Sequence, residues 1–187
     1  MRFLQRGVTV PDDGRAAAGY TLFAPLLQRE AYLIDMAGKV VHQWDIPGQP
    51  GNYAKLQPNG NLLVSTLMGE GPEGLAARGG LIQEMDWDGN VVWECRDKNQ
   101  HHDFHRLPNG NLIYLSWELM PADAAARVQG GGAGSEHAAG GIWGDLLVEV
   151  NSAGEKVWEW RIWEHVQIED HPIMHIKNRH EFGHANT

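Results

Sequence analysis

The chain has 187 residues, and its 15 basic against 24 acidic residues give a formal charge of −9 at pH 7, so nucleic acid is not an expected partner. Its 42% hydrophobic and 21% charged residues are close to globular averages, which excludes a largely disordered chain. No run approaches the ~20 apolar residues of a membrane span and the N-terminal residues lack the apolar stretch of a secretion signal, so we expect a cytoplasmic protein with no membrane partner.

Two kinds of hairpin alternate along the chain. The first has an apolar alternating run, a tight Gly-containing turn and a second run that ends near Trp, and it occurs at 32–44, 81–95 and 146–160. The second is centred on Pro-Asn-Gly-Asn and occurs as LQPNGNLLVSTL at 56–67 and RLPNGNLIYLSW at 106–117. Such turns need positive φ and are strong signals for β-hairpins.

Joined in pairs, these hairpins predict four-stranded antiparallel units of about 50 residues, the size of a β-propeller blade. We predict an all-β protein with blades at about 19–46, 52–96 and 101–162. An insertion at 118–141 separates two strands of the third blade, and its Ala-rich part predicts a helical turn. The first strand of a fourth blade is expected at about 182–187.

The number of blades implies a partner. Propellers close with roughly four to eight blades, so three blades and one strand leave the ring open. An open array would expose unpaired strand edges and an apolar blade face. We therefore expect a second polypeptide, such as the C-terminal part of the same precursor, to complete a ring of about six blades.

Histidines cluster where the innermost strands of two neighbouring blades are predicted. HHDFH at 101–105 would begin the third blade and HANT at 184–187 the fourth, so both would line the central channel. On a regular strand, His101, Asp103 and His105 share one face, while His102 and Phe104 share the other. Imidazoles in such a channel suit nucleophilic catalysis, acid–base catalysis or anion binding.

These clusters supply the candidate site residues, although a single strand histidine also has the simpler role of a structural hydrogen-bonding group. Histidine and aspartate at alternate positions can bind zinc or iron, but no second carboxylate is placed to complete such a site. We therefore expect neither a metal nor a cofactor. The candidates are His102, His184, Asn186 and Thr187 for catalysis and His101, Asp103 and His105 for substrate binding.

The single cysteine, Cys95, excludes an internal disulfide and a Cys-rich metal site. It lies in VVWECRD, where alternating apolar residues predict a buried strand position. Trp44, Trp93, Trp158 and Trp160 stand at hairpin ends and are predicted to pack between blades.

Three segments, GLIQEMDWDGNVVWE, HHDFHRLPNGNLIYL and HANT, together resemble the arylsulfotransferase family of bacterial β-propeller enzymes, from about residue 19 to residue 187. The resemblance implies group transfer on a small aromatic substrate, in which a sulfuryl group moves between phenols through a histidine intermediate. It also implies that His102, His184 and Asn186 border the channel and bind the transferred group, while Asp103 orients the neighbouring imidazole. In the family, the nucleophilic histidine and an arginine that binds the sulfuryl oxygens lie beyond the point corresponding to residue 187.

Three other functions stay open at this point. A precursor cut after Thr187 would give its partner chain a new N-terminal residue, which could act as the nucleophile of an amidohydrolase with its own amine as base. His184 and Asn186 would then serve as orienting or oxyanion-binding groups. A non-catalytic propeller would be a binding platform, and a quinone-dependent dehydrogenase would carry a visible chromophore.

We expect the purified native assembly to contain a second polypeptide beside this chain, because three blades alone leave a propeller open. Denaturing intact-mass spectrometry tests this expectation directly. A single species with the mass of the 187-residue chain would contradict it. A second species that begins with Cys, Ser or Thr would favour the amidohydrolase hypothesis over sulfuryl transfer.

Overall fold

The protein is all-β, as predicted, and its computed structural model describes residues 14–72, 75, 77–129 and 141–165. Within these residues the strands form three antiparallel sheets, ordered β1-β2-β3, β4-β5-β6-β7 and β8-β9-β10-β11. Two one-turn helices, α1 (Ala122–Ala125) and α2 (Ile162–His165), accompany the third sheet. The strands are β1 (Thr21–Phe23), β2 (Glu30–Ile34), β3 (Val40–Asp45), β4 (Pro50–Leu56), β5 (Leu62–Leu67), β6 (Gly80–Met85), β7 (Val91–Arg96), β8 (Gln100–Arg106), β9 (Leu112–Leu119), β10 (Trp143–Val150) and β11 (Lys156–Arg161).

The last hairpin of every sheet closes with the same turn, as the sequence repeat predicts. Asp35, Asp86 and Asn151 open the three turns, and each accepts the backbone N–H groups two and four residues later at 2.8–3.0 Å. The glycine three residues after each of them has φ between +78° and +88°, a conformation that costs other residues more. The Asn90 side-chain amide also donates to both carboxylate oxygens of Asp86, and this bond, followed by the bond from the Asn90 backbone N–H, lowers the pKa of the Asp86 carboxyl below its ordinary value.

The outer strand of each sheet carries a β-bulge directly after this turn. Ile34 pairs with Val40 while Leu33 pairs with His42, so Val41 is left without a partner in the register. The second and third sheets have the same irregularity at Val92 and Val157. Bulges at a sheet edge twist the strand and discourage pairing with other chains, which accounts for valines that are 43–54% exposed.

The second sheet is buried on both faces, because alternate residues of its strands point to opposite neighbours. On β5, Leu62 and Val64 pack against the first sheet, whereas Leu63 packs against the third. The core between the second and third sheets consists of Leu63, Ile82, Cys95, Phe104, Leu112, Tyr114, Leu146, Val148 and Val150. Cys95 is therefore a buried strand residue, as predicted, and its burial raises the pKa of the thiol.

Tryptophan side chains link each sheet to the next. The Trp44 indole N–H donates to the Asp86 carbonyl at 2.9 Å, and the Trp93 indole N–H donates to the Ser152 carbonyl at 2.8 Å. Both acceptors lie in the final hairpin turn of the following sheet. Trp158 is 44% exposed. Trp44 and Trp93 thus link neighbouring sheets, while their predicted packing between propeller blades stays a prediction.

The insertion after β9 begins with the predicted helical turn, which is α1. Ala124 of this turn packs with Met120 and Trp163 in a small cluster of its own. No helix in the described ranges is long and apolar enough to cross a membrane.

We predict that Trp44→Phe lowers the free energy of unfolding by about 1–3 kcal/mol, because it removes a buried hydrogen bond and part of a side chain that is 1% exposed. Urea denaturation followed by circular dichroism measures the change. Trp158→Phe is the matched control, since surface substitutions stay within about 0.5 kcal/mol. Equal losses in both variants would contradict the proposed link between the first two sheets.

Candidate functional site

The histidine-rich strand β8 contains a bulge of two residues. His101 pairs with Leu115 and Phe104 pairs with Tyr114, so His102 and Asp103 have no partners on β9. His102 has φ of +48°, and its backbone N–H donates to the Ala77 carbonyl at 3.0 Å. A positive φ at a residue other than glycine costs energy and is frequent at functional sites.

The bulge interrupts the predicted alternation of side chains at two positions of this strand. His101 and Phe104 are both 2% exposed, whereas His102, Asp103 and His105 are exposed. The prediction is confirmed for His101 and His105, whose partners Leu115 and Ile113 are two residues apart on β9 and so lie on one face. It fails for His102 and Asp103, which have no partners and are therefore not placed by the alternation. Because two residues are inserted, the period of two is the same before and after the bulge, and only the two inserted residues fall outside it.

The same bulge occurs in β4, the equivalent strand of the second sheet. Pro50 pairs with Thr66 and Ala54 with Val64, so the three residues 51–53 lie opposite Ser65 alone. The Tyr53 ring then packs edge-on against Phe104, with ring centroids 5.2 Å apart. The bulge is thus a feature of the repeat, and the histidines are what distinguish the third sheet.

His101 is buried in an aromatic and polar environment. Its ring stacks on Trp117, with centroids 4.1 Å apart and planes at 16°. Its Nδ1 lies 2.8 Å from Nδ1 of His102, and its Nε2 lies 3.4 Å from Oδ1 of Asp145. The contact with Asp145 is electrostatic, because Nε2 makes no hydrogen bond within the described part of the chain.

Asp145 is a site residue that sequence analysis missed. It lies on β10, which is two strands away from β8 and follows the insertion, so no local pattern links it to the histidines. Asp103, which the resemblance assigns to orient an imidazole, uses its Oδ1 to accept the Phe104 N–H at 2.7 Å. The carboxylate that lies beside His101 is that of Asp145.

The Gln100 side chain and the backbone of Gly79 and Gly80 form hydrogen bonds that hold the start of the bulge in place. Gln100 is 1% exposed, its Oε1 accepts the Gly80 N–H at 3.1 Å, and its Nε2 donates to the His101 carbonyl at 3.0 Å. Gly79 donates its own N–H to the Gln100 carbonyl at 3.0 Å. The segment before β6 therefore fixes the position of His101 and, through it, of His102.

A second pair of polar side chains lies further along the same two strands. Lys55 Nζ of β4 is 2.7 Å from Nδ1 of His105 of β8. Because a lysine ammonium only donates, His105 Nδ1 accepts and its Nε2 carries the hydrogen. No carboxylate in the described residues forms an ion pair with Lys55. Lys55 and His105 together are thus two donors suited to a negatively charged group.

The remaining candidates, His184, Asn186 and Thr187, lie outside the described residues. Among the residues that are described, no group of three His, Cys, Asp or Glu side chains is arranged to hold a metal ion. The site that can be described therefore consists of His101, His102 and Asp145, with Lys55 and His105 beside it.

No model of a known protein family matches the chain, and no curated protein is similar to it. Among solved structures it is similar to a protein of unknown function from Bacteroides caccae, with 17% sequence identity and a TM-score of 0.46. The match covers 80% of this chain and 48% of that one, so the chain spans about half the length of that protein.

We predict that Gly79→Ala destabilises the protein by about 1–3 kcal/mol, the usual cost of leaving buried polar groups unsatisfied. A Cβ atom here would lie 2.0 Å from Gln100 Oε1 and 3.1 Å from its Cδ, so the amide must leave its two partners. Thermal unfolding measures the loss. Gly48→Ala is the control, because its Cβ would meet Thr66 at an ordinary 3.4 Å. Equal melting temperatures for Gly79→Ala and Gly48→Ala would contradict the role of Gln100.

Proposed function

We propose that this chain forms half of a β-propeller enzyme that transfers a sulfuryl group between small aromatic substrates, with His102 as an acid–base residue. The single observation behind the proposal is the geometry of His102, an exposed imidazole on a two-residue bulge with positive φ, joined at 2.8 Å to the buried His101. The bulge itself recurs in β4, but the positive φ occurs at His102 and not at the corresponding Asn52, and this local strain favours a functional role.

The propeller architecture is part of the proposal. It is supported by the repetition of one link between sheets, in which Trp44 and Trp93 each donate to a carbonyl in the next hairpin turn. The first, second and third sheets would be consecutive blades, and a second polypeptide would complete the ring to about six. The bulged strands β4 and β8 would then be the innermost strands and would face the channel.

The reaction assigns a separate task to each group. His102 Nε2 accepts the proton of the acceptor phenol as the new oxygen–sulfur bond forms. Before that step, the nucleophilic histidine that the resemblance implies beyond residue 187 attacks sulfur, the bond between sulfur and the donor oxygen breaks, and the departing phenolate keeps its electron pair and takes a proton from His102. When the acceptor oxygen then attacks, the bond between sulfur and the histidine nitrogen breaks and its electron pair returns to that nitrogen. Lys55 and His105 would bind the negative charge of the sulfuryl oxygens. His184 and Asn186 stay candidates for the same anion, as the resemblance implies.

The amidohydrolase hypothesis depends on His184, Asn186 and Thr187, which lie outside the described residues, and no contact among the described residues favours it. A binding platform requires no strained histidine, so His102 favours an enzyme over that alternative. Cytoplasmic location stays a prediction.

We predict that His102→Gln lowers the rate of 4-nitrophenol release from 4-nitrophenyl sulfate, with phenol as acceptor, by about 10²–10⁴-fold, the usual contribution of a positioned acid–base group. Absorbance of nitrophenolate gives the rate for the native assembly. His165→Gln is the control, because His165 is exposed and stacks only on Trp160 among the contacts described for it.

Full activity in His102→Gln would contradict the acid–base role. Absence of transfer by the unmodified assembly, with aryl sulfates as donors and phenols as acceptors, would contradict sulfuryl transfer itself. Binding of phenols without turnover would then support the binding platform.

A further inference from the structure

The two imidazoles share a hydrogen bond that has two possible directions. A hydrogen must lie on one of the two Nδ1 atoms, which are 2.8 Å apart, and the other Nδ1 must accept it. If His101 donates, Nδ1 of His102 accepts, and the one hydrogen of the neutral His102 ring must lie on Nε2, which then cannot act as a base. If His102 donates, its Nε2 has a lone pair and can act as a base.

We infer that Asp145 selects the second direction and is therefore a positioning residue for His102, an inference that rests on the proposed acid–base role. Its Oδ1 lies 3.4 Å from Nε2 of His101, a ring that is 2% exposed. A carboxylate beside a buried imidazole favours the tautomer with hydrogen on the facing nitrogen, because two lone pairs would repel each other in a medium of low dielectric.

Hydrogen on Nε2 of His101 leaves its Nδ1 as the acceptor, and His102 must then donate from its own Nδ1. Nε2 of His102, an exposed residue, becomes the basic nitrogen. When that nitrogen takes a proton from the substrate, the positive charge on His102 is stabilised through His101 by the Asp145 carboxylate.

The surroundings of His101 suit this role. Stacking on Trp117 fixes the plane of the ring, and the Gln100 amide holds the backbone carbonyl of His101. The ring therefore has little freedom to turn away from Asp145 or from His102. Arrangements in which a carboxylate fixes the tautomer of a catalytic imidazole have large effects, since the wrong tautomer costs about 10⁴-fold in the Ser-His-Asp triad.

The test is the tautomeric state of both rings, read from long-range ¹H–¹⁵N correlations of the imidazoles in the native assembly at a pH where they are neutral. We expect hydrogen on Nδ1 of His102 and on Nε2 of His101. In Asp145→Asn the amide can donate to His101 Nε2, so both tautomers should reverse. Asp145→Glu should keep the original pattern, and so should the control Asp103→Asn.

Activity provides the second measurement. Asp145→Asn should lower kcat at least about 10-fold with little change in KM, and Asp145→Glu should restore part of it. Hydrogen on Nε2 of His102 in the unmodified protein, or unchanged tautomers in Asp145→Asn, would overturn the inference whatever the activity. The expected tautomers in a protein without transferase activity would support the role of Asp145 and contradict the proposed function instead.

Discussion

The structure of the site depends on one backbone feature, the insertion of two residues into the first strand of a sheet. In β8 this bulge lies between His101 and Phe104, and it separates a buried imidazole from an exposed one. A regular strand would place neighbouring residues on opposite faces, where their rings could not meet. The bulge instead allows His101 and His102, adjacent in sequence, to join at Nδ1. The chemistry proposed for the chain therefore originates in a local departure from β geometry.

Much of the fold could be predicted, because its signals are local. Turns such as Asp35–Gly38 and Asp86–Gly89 carry their own hydrogen-bond acceptor and their own positive-φ glycine, so the hairpins are visible in the sequence. The site was only partly predictable. A bulge has no composition that distinguishes HHDFH from a regular strand, and Asp145 reaches His101 only through the pairing of β8, β9 and β10. Long-range register of this kind is not encoded in any short segment.

The repeat accounts for the bulge but not for the positive φ of His102, because the corresponding residue of β4, Asn52, is not among the non-glycine residues with positive φ in the described part of the chain. Equivalent bulges in β4 and β8 show that the backbone irregularity belongs to both sheets, although only β8 places histidines on it. Where β8 has His101, β4 has Gly51, and a Cβ atom there would lie 2.4 Å from the Ser65 hydroxyl. The third sheet accommodates an entire imidazole at this position because Trp117 provides a surface on which it stacks. The two strands thus share a bulge, with glycine at this position in β4 and a stacked histidine in β8.

The Lys55–His105 pair joins β4 and β8 and is positively charged within an acidic chain. The chain as a whole carries a formal charge of −9, which repels anions at long range. Lys55 nevertheless directs its ammonium at His105 at 2.7 Å, without a carboxylate partner among the described residues. Other cations of the chain do form ion pairs, such as Arg106 with Glu84 at 2.7 Å and Arg161 with Glu118 at 2.6 Å. Lys55 and His105, which contact each other, therefore offer hydrogen-bond donors to a small anion, and His105 lies three positions along β8 from His102, the proposed base.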